Sequence, residues 1–365
     1  MHAPVPGQHG TSDAGWRQLP KMALTLAAGC LGAALAYGAA MPLPFLLGPL
    51  MLTAVATMLG LPVRTLPFGR ELGQVVVGVS IGLRFVPDVA IATLRLIPVM
   101  FASTLLVIVA TSAAAILLEK LAGIDRRTAF FATAAAGLAE MAVIAHQKGA
   151  DADTVAIVHL IRVTAIVTTV PFLLAIFGET GQVPEKVVNL AAELLPLAAL
   201  LAGAAVLAYL LLPMRMPNTW LLAPALLGAT IACMGYGPFA VPRVLLNIAQ
   251  IVIGTWIGCR FRREIVGRLP RVTLAAVGTT AFLLAAAALI ASLVGHVAGL
   301  PFSTGLLAVA PAGVTEMVLT ATAMHLDATT VTGFQIMRIA LVMTTIPLVF
   351  RAFDYCSRFL PNGKS

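Results

Sequence analysis

Two stretches of this chain, 176 residues apart, are copies of one another. Residues 134–171 read AAAGLAEMAVIAHQKGADADTVAIVHLIRVTAIVTTVP, and residues 310–347 read APAGVTEMVLTATAMHLDATTVTGFQIMRIALVMTTIP, aligning without a gap. Gly137/Gly313, Glu140/Glu316, Met141/Met317, Asp151/Asp327, Arg162/Arg338 and Pro171/Pro347 match. Each copy sets a glutamate and, 22 residues on, an arginine among long apolar runs. Ionisable groups are costly in hydrocarbon, so an intramembrane charge marks a functional site by default. A fold that keeps the same costly residues twice is built from two related halves.

The surroundings of these charges fix the fold class. The 365 residues are 60% hydrophobic and 10% charged, whereas soluble domains carry about 25% charged residues. Many runs approach the ~20 apolar residues that cross a bilayer core. Alternation of period two is rare, which excludes a transmembrane barrel. The chain is therefore an all-α polytopic membrane protein, with lipid bilayer as its surround. Spans are predicted near 22–40, 43–61, 72–85, 96–118 and 154–177, and near 192–212, 219–236, 245–260, 272–297 and 329–350. A broken segment in each half falls at 128–148 and 303–325. A first repeat covers 21–177 and a second 193–352, joined by an acidic linker at 178–192. Residues 1–20 form a polar N-terminal tail expected to be disordered, and 353–365 form the C-terminal tail.

The duplication extends beyond its longest stretch. Gln74 through Gly78, Gly82 and Arg84-Phe85 matches Gln250 through Gly254, Gly258 and Arg260-Phe261 at the same offset of 176. Leu46-Leu47-Gly48-Pro49 resembles Leu221-Leu222-Ala223-Pro224, one residue out of step. A period this long describes two halves of one fold rather than a solenoid.

Charge sets the orientation of those halves. Six crossings per half would put the basic loop at 120–127 inside the cell and the five arginines of 260–271 outside. With five crossings and one segment that enters and leaves on the same side, the repeats become inverted. The loops carrying Arg64/Arg70, Lys120/Arg126/Arg127, Arg215, Arg260–Arg271 and Arg351/Arg358 then all face the cytoplasm, and the acidic linker faces outside, as the positive-inside rule asks. The segment bearing the glutamate is the one expected not to cross. Thr133–Gly137 and Val309–Gly313 interrupt it with small residues, and the second adds Pro311. Broken backbone at membrane depth is tolerated where protein or a watery cavity satisfies it. A helix restarting at Leu138 or Val314 would aim its amides and positive dipole end at the midplane, where an anion or carboxylate can sit.

The candidate site follows from these segments. Glu140 and Glu316 serve as a proton or cation site or a substrate contact; alternatively they stabilise their own helix start or pair with an arginine. Arg162 and Arg338, about nine residues into a span, either form that structural ion pair or fork onto a carboxylate or phosphate. Gly137 and Gly313 shape the breaks, while Gln74 and Gln250 are expected to offer polar contacts to a central cavity. Gly78/Gly82 and Gly254/Gly258 read as close helix packing, and Asp151 and Asp327 as helix caps. His159 shares a helix face with Arg162 and could tune a pH-sensitive site; the second half has Gln335 in its place and Thr322 in place of His146. His2, His9, His296 and His325 are scattered, and no metal-binding histidine set occurs. No cofactor, metal centre or enzymatic role is expected. The net charge of +8 sits in loops, without interleaved aromatics or a nucleic-acid-binding motif. Cys30, Cys233, Cys259 and Cys356 show no paired spacing.

At the doubled GLAEM/GVTEM element, with its downstream Arg and Pro, the chain resembles the bacterial AbrB duplication membrane proteins, over about residues 20–355. Members carry the labels AbrB family transcriptional regulator or ammonia monooxygenase. The resemblance implies a link to regulation of gene expression, and an architecture similar to secondary transporters with inverted repeats. Where Pro311 stands in the second copy, the first has Ala135, so a less sharp first break is expected. The sequence thus reads as a multi-pass protein of the bacterial cytoplasmic membrane. It would carry small solutes, organic anions such as amino or carboxylic acids, coupled to H+ or Na+ by alternating access, and could form a homo-oligomer. The rival is a membrane regulator or sensor that affects gene expression without transport.

Overall fold

A computed structural model describes residues 18–176, 190–214, 216–235, 240–261 and 270–357. The tail through residue 17, the linker at 178–189, Arg215, the arginines at 262, 263 and 268 and the chain end from 358 lie outside the described residues. Among those described, the protein is all-α without a strand. Among the described residues, six helices are long and apolar enough to cross a membrane. They are carried by α1 (Leu19–Gly38), α5 (Ile97–Ala122), α8 (Ala152–Ile176), α9 (Leu190–Leu211, its span reaching Met214), α12 (Pro270–Ala298) and α15 (Ala328–Ser357). Shorter apolar helices are α2 (Pro44–Met58), α10 (Thr219–Cys233) and α11 (Arg243–Gly258).

One element was not anticipated. Between 85 and 96, where no helix was predicted, α4 (Pro87–Arg95) follows α3 (Gly69–Gly82) at a bend of 94°. Its signals are local: extended Val86 as N-cap, Pro87 in the first turn, Asp88 near the start and Arg95 in the last turn, a pattern that suits helix entry and the helix dipole. Too short to span, it buries none of its side chains.

The chain forms two compact units, each drawing on both halves of the sequence: Met1–Arg70 with Gln250–Arg263, and Glu71–Ala249 with Glu264–Ser365. In the first unit α1 and α2 pack backbone to backbone, so that a Cβ on Gly32 or Gly48 would strike the other's carbonyl. Gly254 and Gly258 of α11 bring that helix equally close to Leu46, Leu50 and Thr53 of α2. Arg70 and Arg260 lie over the Trp256 ring, 4.4 and 3.9 Å from its centroid. In the second unit Gly78 and Gly82 of α3 meet the backbone of α10 at Leu221 and Ala225. Both glycine pairs thus let helices approach closely, as their four-residue spacing predicted.

Within the second unit, α12 begins where α5 ends. Arg271 Nε donates to Leu121 O (2.9 Å), and the two helices pack along each other. They occupy matching places in the two copies yet run in opposite directions. After α5 comes a hairpin, α6 (Arg126–Thr133) and α7 (Leu138–Gln147). Just past α7, Asp151 N donates to Thr128 Oγ1 near the start of α6 (2.9 Å), and Arg127 Nη1 donates to Lys148 O (3.3 Å). The segment therefore leaves on the side where it entered. The corresponding α13 (Phe302–Val309) and α14 (Val314–Ala323) follow the far end of α12, so the second broken segment enters from the opposite end of the unit.

The two breaks are nearly superimposable in their backbone angles. Ala134 (φ −52°, ψ 134°) and Gly137 (φ −67°, ψ 143°) are extended, as are Ala310 (−56°, 128°) and Gly313 (−69°, 139°). Each contains a tight turn, Ala136 N to Ala134 O (2.9 Å) and Ala312 N to Ala310 O (2.8 Å). The expectation of a less sharp first break, based on Ala135 replacing Pro311, is corrected. Proline is pre-set for such a turn, but the first copy reaches the same shape without it.

Candidate functional site

Helix interruption at membrane depth leaves carbonyl groups without their usual donors, and the arginines supply the partners. Arg162 Nη1 donates to Thr133 O (2.6 Å) and Ala134 O (3.1 Å). Arg338 donates from Nη1 to Ala310 O (2.5 Å) and from Nη2 to Ala312 O (2.8 Å). Each arginine stands ten residues beyond the first residue of its helix, roughly 15 Å deep at 1.5 Å per residue, half of a ~30 Å core. Both are buried. Their charge sits at the C-terminal end of a half-helix, where the dipole favours a cation. The expected ion pairs, Glu140 with Arg162 and Glu316 with Arg338, are therefore not formed. A salt bridge within 4 Å joins Arg126 to Glu119 instead (3.2 Å). Carbonyls freed by the break outcompete the carboxylates because they face the guanidinium groups directly and have lost their usual helical donors.

The glutamates serve the other side of each break. Glu140 and Glu316 are the third residues of α7 and α14, and each carboxylate folds back over its own N-cap glycine. A Cβ on Gly137 or Gly313 would overlap the carboxylate oxygen, so a side chain there would push the carboxylate out of this position. This is the place of the acid in a capping box, beside the positive end of its half-helix. Glu316 is buried, and Glu140 is half-buried. Each break thus holds a guanidinium against the end of one half-helix and a carboxylate against the start of the next.

The second unit draws the two breaks together: α14 packs on α8, which carries Arg162, and the Arg162 guanidinium lies within electrostatic reach of Arg338. The Nε of both arginines is buried without a hydrogen-bond partner. Gln74 reaches the second break, its Nε2 donating to Thr315 Oγ1 (2.8 Å) beside Glu316. The matched residue in the first copy is Ala139, which has no hydroxyl. Gln250 is buried in the first unit. Asp151 and Asp327 cap α8 and α15: Asp151 accepts from Asp153 N (3.0 Å) and Thr154 Oγ1 (2.5 Å), and Asp327 accepts from Thr329 N and Thr330 N (both 3.1 Å).

Two participants went unassigned in the sequence. Thr315 is one. Gln335 is the other: its Nε2 donates to Leu307 O (2.8 Å) and Ala308 O (3.2 Å), with Ala310 O at 3.4 Å. Its position three residues before Arg338, on the same helix face, was the available signal. His159, at the matched place in the first copy, is buried, with Nδ1 3.2 Å from Val155 O and Nε2 without a partner. No group of three or more potential metal ligands occurs among the described residues.

Comparison with known proteins places this arrangement. The chain is 24% identical to the Putative regulator AbrB of Escherichia coli K12, across 95% of this chain and 98% of that one. It is 28% identical to the Uncharacterized protein YhjN of Bacillus subtilis 168, across 63% of this chain and 64% of that one. No solved structure matches it. The family model described as Transition state regulatory protein AbrB matches residues 45–354, a range that holds both helix breaks, both arginines and both glutamates, and the chain belongs to the AbrB family.

Proposed function

We propose that this AbrB-family protein is a secondary transporter of small solutes in the bacterial cytoplasmic membrane, working by alternating access between inverted repeats. The observation that carries the proposal is the pair of broken hairpins, which enter one unit from opposite ends and place buried charge at their breaks. Inversion is supported by α12 starting where α5 ends. Binding sites in carriers of this kind lie near the midplane, where half-helix ends meet.

The proposed cargo is an organic anion such as an amino or carboxylic acid. Two half-helix starts and two buried, unpartnered Arg Nε–H donors favour an acceptor of negative charge. With their Nη atoms fixed on carbonyls, Arg162 and Arg338 would contribute an edge and a field rather than a full fork. Glu140 and Glu316 would hold the coupling ion, H+ or Na+. The test is uptake of a panel of radiolabelled amino and carboxylic acids into proteoliposomes under an imposed proton or sodium gradient. Gradient-driven uptake that Glu316→Gln abolishes is the expected result. If correctly inserted protein moves none of the panel while deletion of its gene alters transcript levels, the regulatory role suggested by the relatives' names takes its place.

A further inference from the structure

The first unit gathers cations at one end and carries no acid among its described residues. Lys21, Arg64, Arg70 and Arg260 are its charged side chains there. They come from separate stretches that the fold draws together. Thr25 Oγ1 donates to Lys21 O (2.9 Å) and accepts from Arg64 N (2.7 Å), which folds the α2–α3 loop over the start of α1. Gly254 of α11 meets Leu46, and Gly258 meets Leu50 and Thr53, so α11 ends where α2 ends. At that end Arg70 and Arg260 share the Trp256 ring. Gly69 permits the approach, since a Cβ there would press on Val252, one turn before Trp256. The positive-inside rule asks for cations at a cytoplasmic end, but it accounts neither for the shared ring nor for the places of Lys21 and Arg70. Both stand in the first turn of a helix, where the dipole repels a cation. The acid next in the chain, Glu71, belongs to the second unit and is the first-turn carboxylate of α3.

We propose that this end of the first unit binds an anionic phospholipid, with Arg70 and Arg260 at Trp256 taking the phosphodiester and Lys21 and Arg64 adding charge around it. A guanidinium held over an aromatic ring still presents its N–H donors in its own plane, the geometry that forks onto phosphate. Basic clusters at the cytoplasmic ends of membrane helices recognise headgroups of net negative charge in this way. The apolar part of a lipid has partners here as well. Leu59 and Phe68 in the α2–α3 loop are 74% and 69% exposed, and Phe68 is held at φ 56°. A bulky residue adopts that left-handed conformation at a cost, and the result is an outward aromatic ring beside the arginines, as suits a membrane interface. A zwitterionic headgroup would bring its own ammonium against four cations, so the site selects for net negative charge. The proposal is independent of transport, because it uses no residue of either helix break.

Trp256 itself reports on the site. Full-length protein with Trp16 and Trp220 replaced by phenylalanine is reconstituted in phosphatidylcholine vesicles. Its fluorescence is followed as phosphatidylglycerol with brominated acyl chains replaces part of the host lipid. Bromine quenches at short range, so comparison with brominated phosphatidylcholine gives the relative affinity of the two headgroups at this ring. A basic residue near the surface is worth roughly fivefold in affinity, so two arginines predict a preference for phosphatidylglycerol on the order of 25-fold. Arg70→Gln and Arg260→Gln should each cut that preference roughly fivefold, and the double variant should abolish it. Arg70→Lys, which keeps the charge, should lose less than Arg70→Gln. Soluble sn-glycerol 3-phosphate at millimolar concentration should not relieve the quenching, since it brings no acyl chain to Leu59 and Phe68. Relief by it would put a soluble phosphate in the place of the lipid and overturn the proposal. Equal quenching by the two headgroups in the parent overturns it without any variant, which decides the matter should the variants fail to insert. A preference that survives in the double variant overturns it too, because the lipid would then be held elsewhere.

Discussion

Replacing Arg338 by leucine separates a carbonyl clamp from an ion pair. In the parent, Ala312 O accepts from Arg338 Nη2, and Ala310 O accepts from Arg338 Nη1, the Gln335 amide and Ala312 N. Losing the guanidinium leaves Ala312 O buried without that donor, which costs about 1–3 kcal/mol. Ala310 O keeps two donors, so its loss is nearer 0.5–1.5 kcal/mol, the net worth of an ordinary hydrogen bond. The sum, about 2–4 kcal/mol, shifts the folding equilibrium by roughly 30- to 1,000-fold. Unfolding in mixed micelles with increasing SDS, followed by circular dichroism, measures it. The informative variant is the double substitution with Glu316→Gln. In an ion pair, neutralising Glu316 would relieve the charge stranded by Arg338→Leu and restore much of the stability. In the clamp described here the carboxylate does not touch the arginine, so the double variant should be no more stable than Arg338→Leu. Recovery to parental stability, or no effect of Arg338→Leu at all, would refute the clamp.

Gly78→Ala should destabilise by about 1–3 kcal/mol, because its Cβ would press on the backbone of α10, where overpacking cannot relax. Gly203→Ala, where the Cβ meets open space, should be neutral or stabilising in the same unfolding assay. Cysteines replacing Lys148 and His296, both exposed, should react with an impermeant thiol reagent from opposite sides of the membrane. Labelling of both from one side would refute opposed entry of the two hairpins.

Much of the candidate site was legible because its cost is written in residue types. A glutamate and an arginine inside apolar runs, repeated at a fixed offset of 176, have no cheap explanation in hydrocarbon, and a glycine before each glutamate marks where a helix can restart. The breaks, both caps at Asp151 and Asp327 and the two close-packing glycine pairs follow from such local signals. The partners of the arginines did not follow. A carboxylate and a backbone carbonyl are both acceptors, and sequence names the first while leaving the second anonymous. Gln335 escaped for the same reason, since its role is to donate to carbonyls whose position depends on where α13 stops. Helix α4 was passed over because nine residues are too few to register as a span, although its entry proline and terminal charges were in view.

By itself the sequence determined that this chain is a helical membrane protein made of two related halves, with a charged break in each. Hydrophobic run length, loop charge and an ungapped repeat are properties of the chain alone. Which groups meet across those breaks was decided by the tertiary structure. The antiparallel placement of α5 and α12 sets the ends from which the hairpins enter, and so brings α14 against α8. The length of α6 and α13 sets which carbonyls face Arg162 and Arg338. Those choices depend on distances between helices far apart in the chain, and a pattern read along one dimension does not contain them.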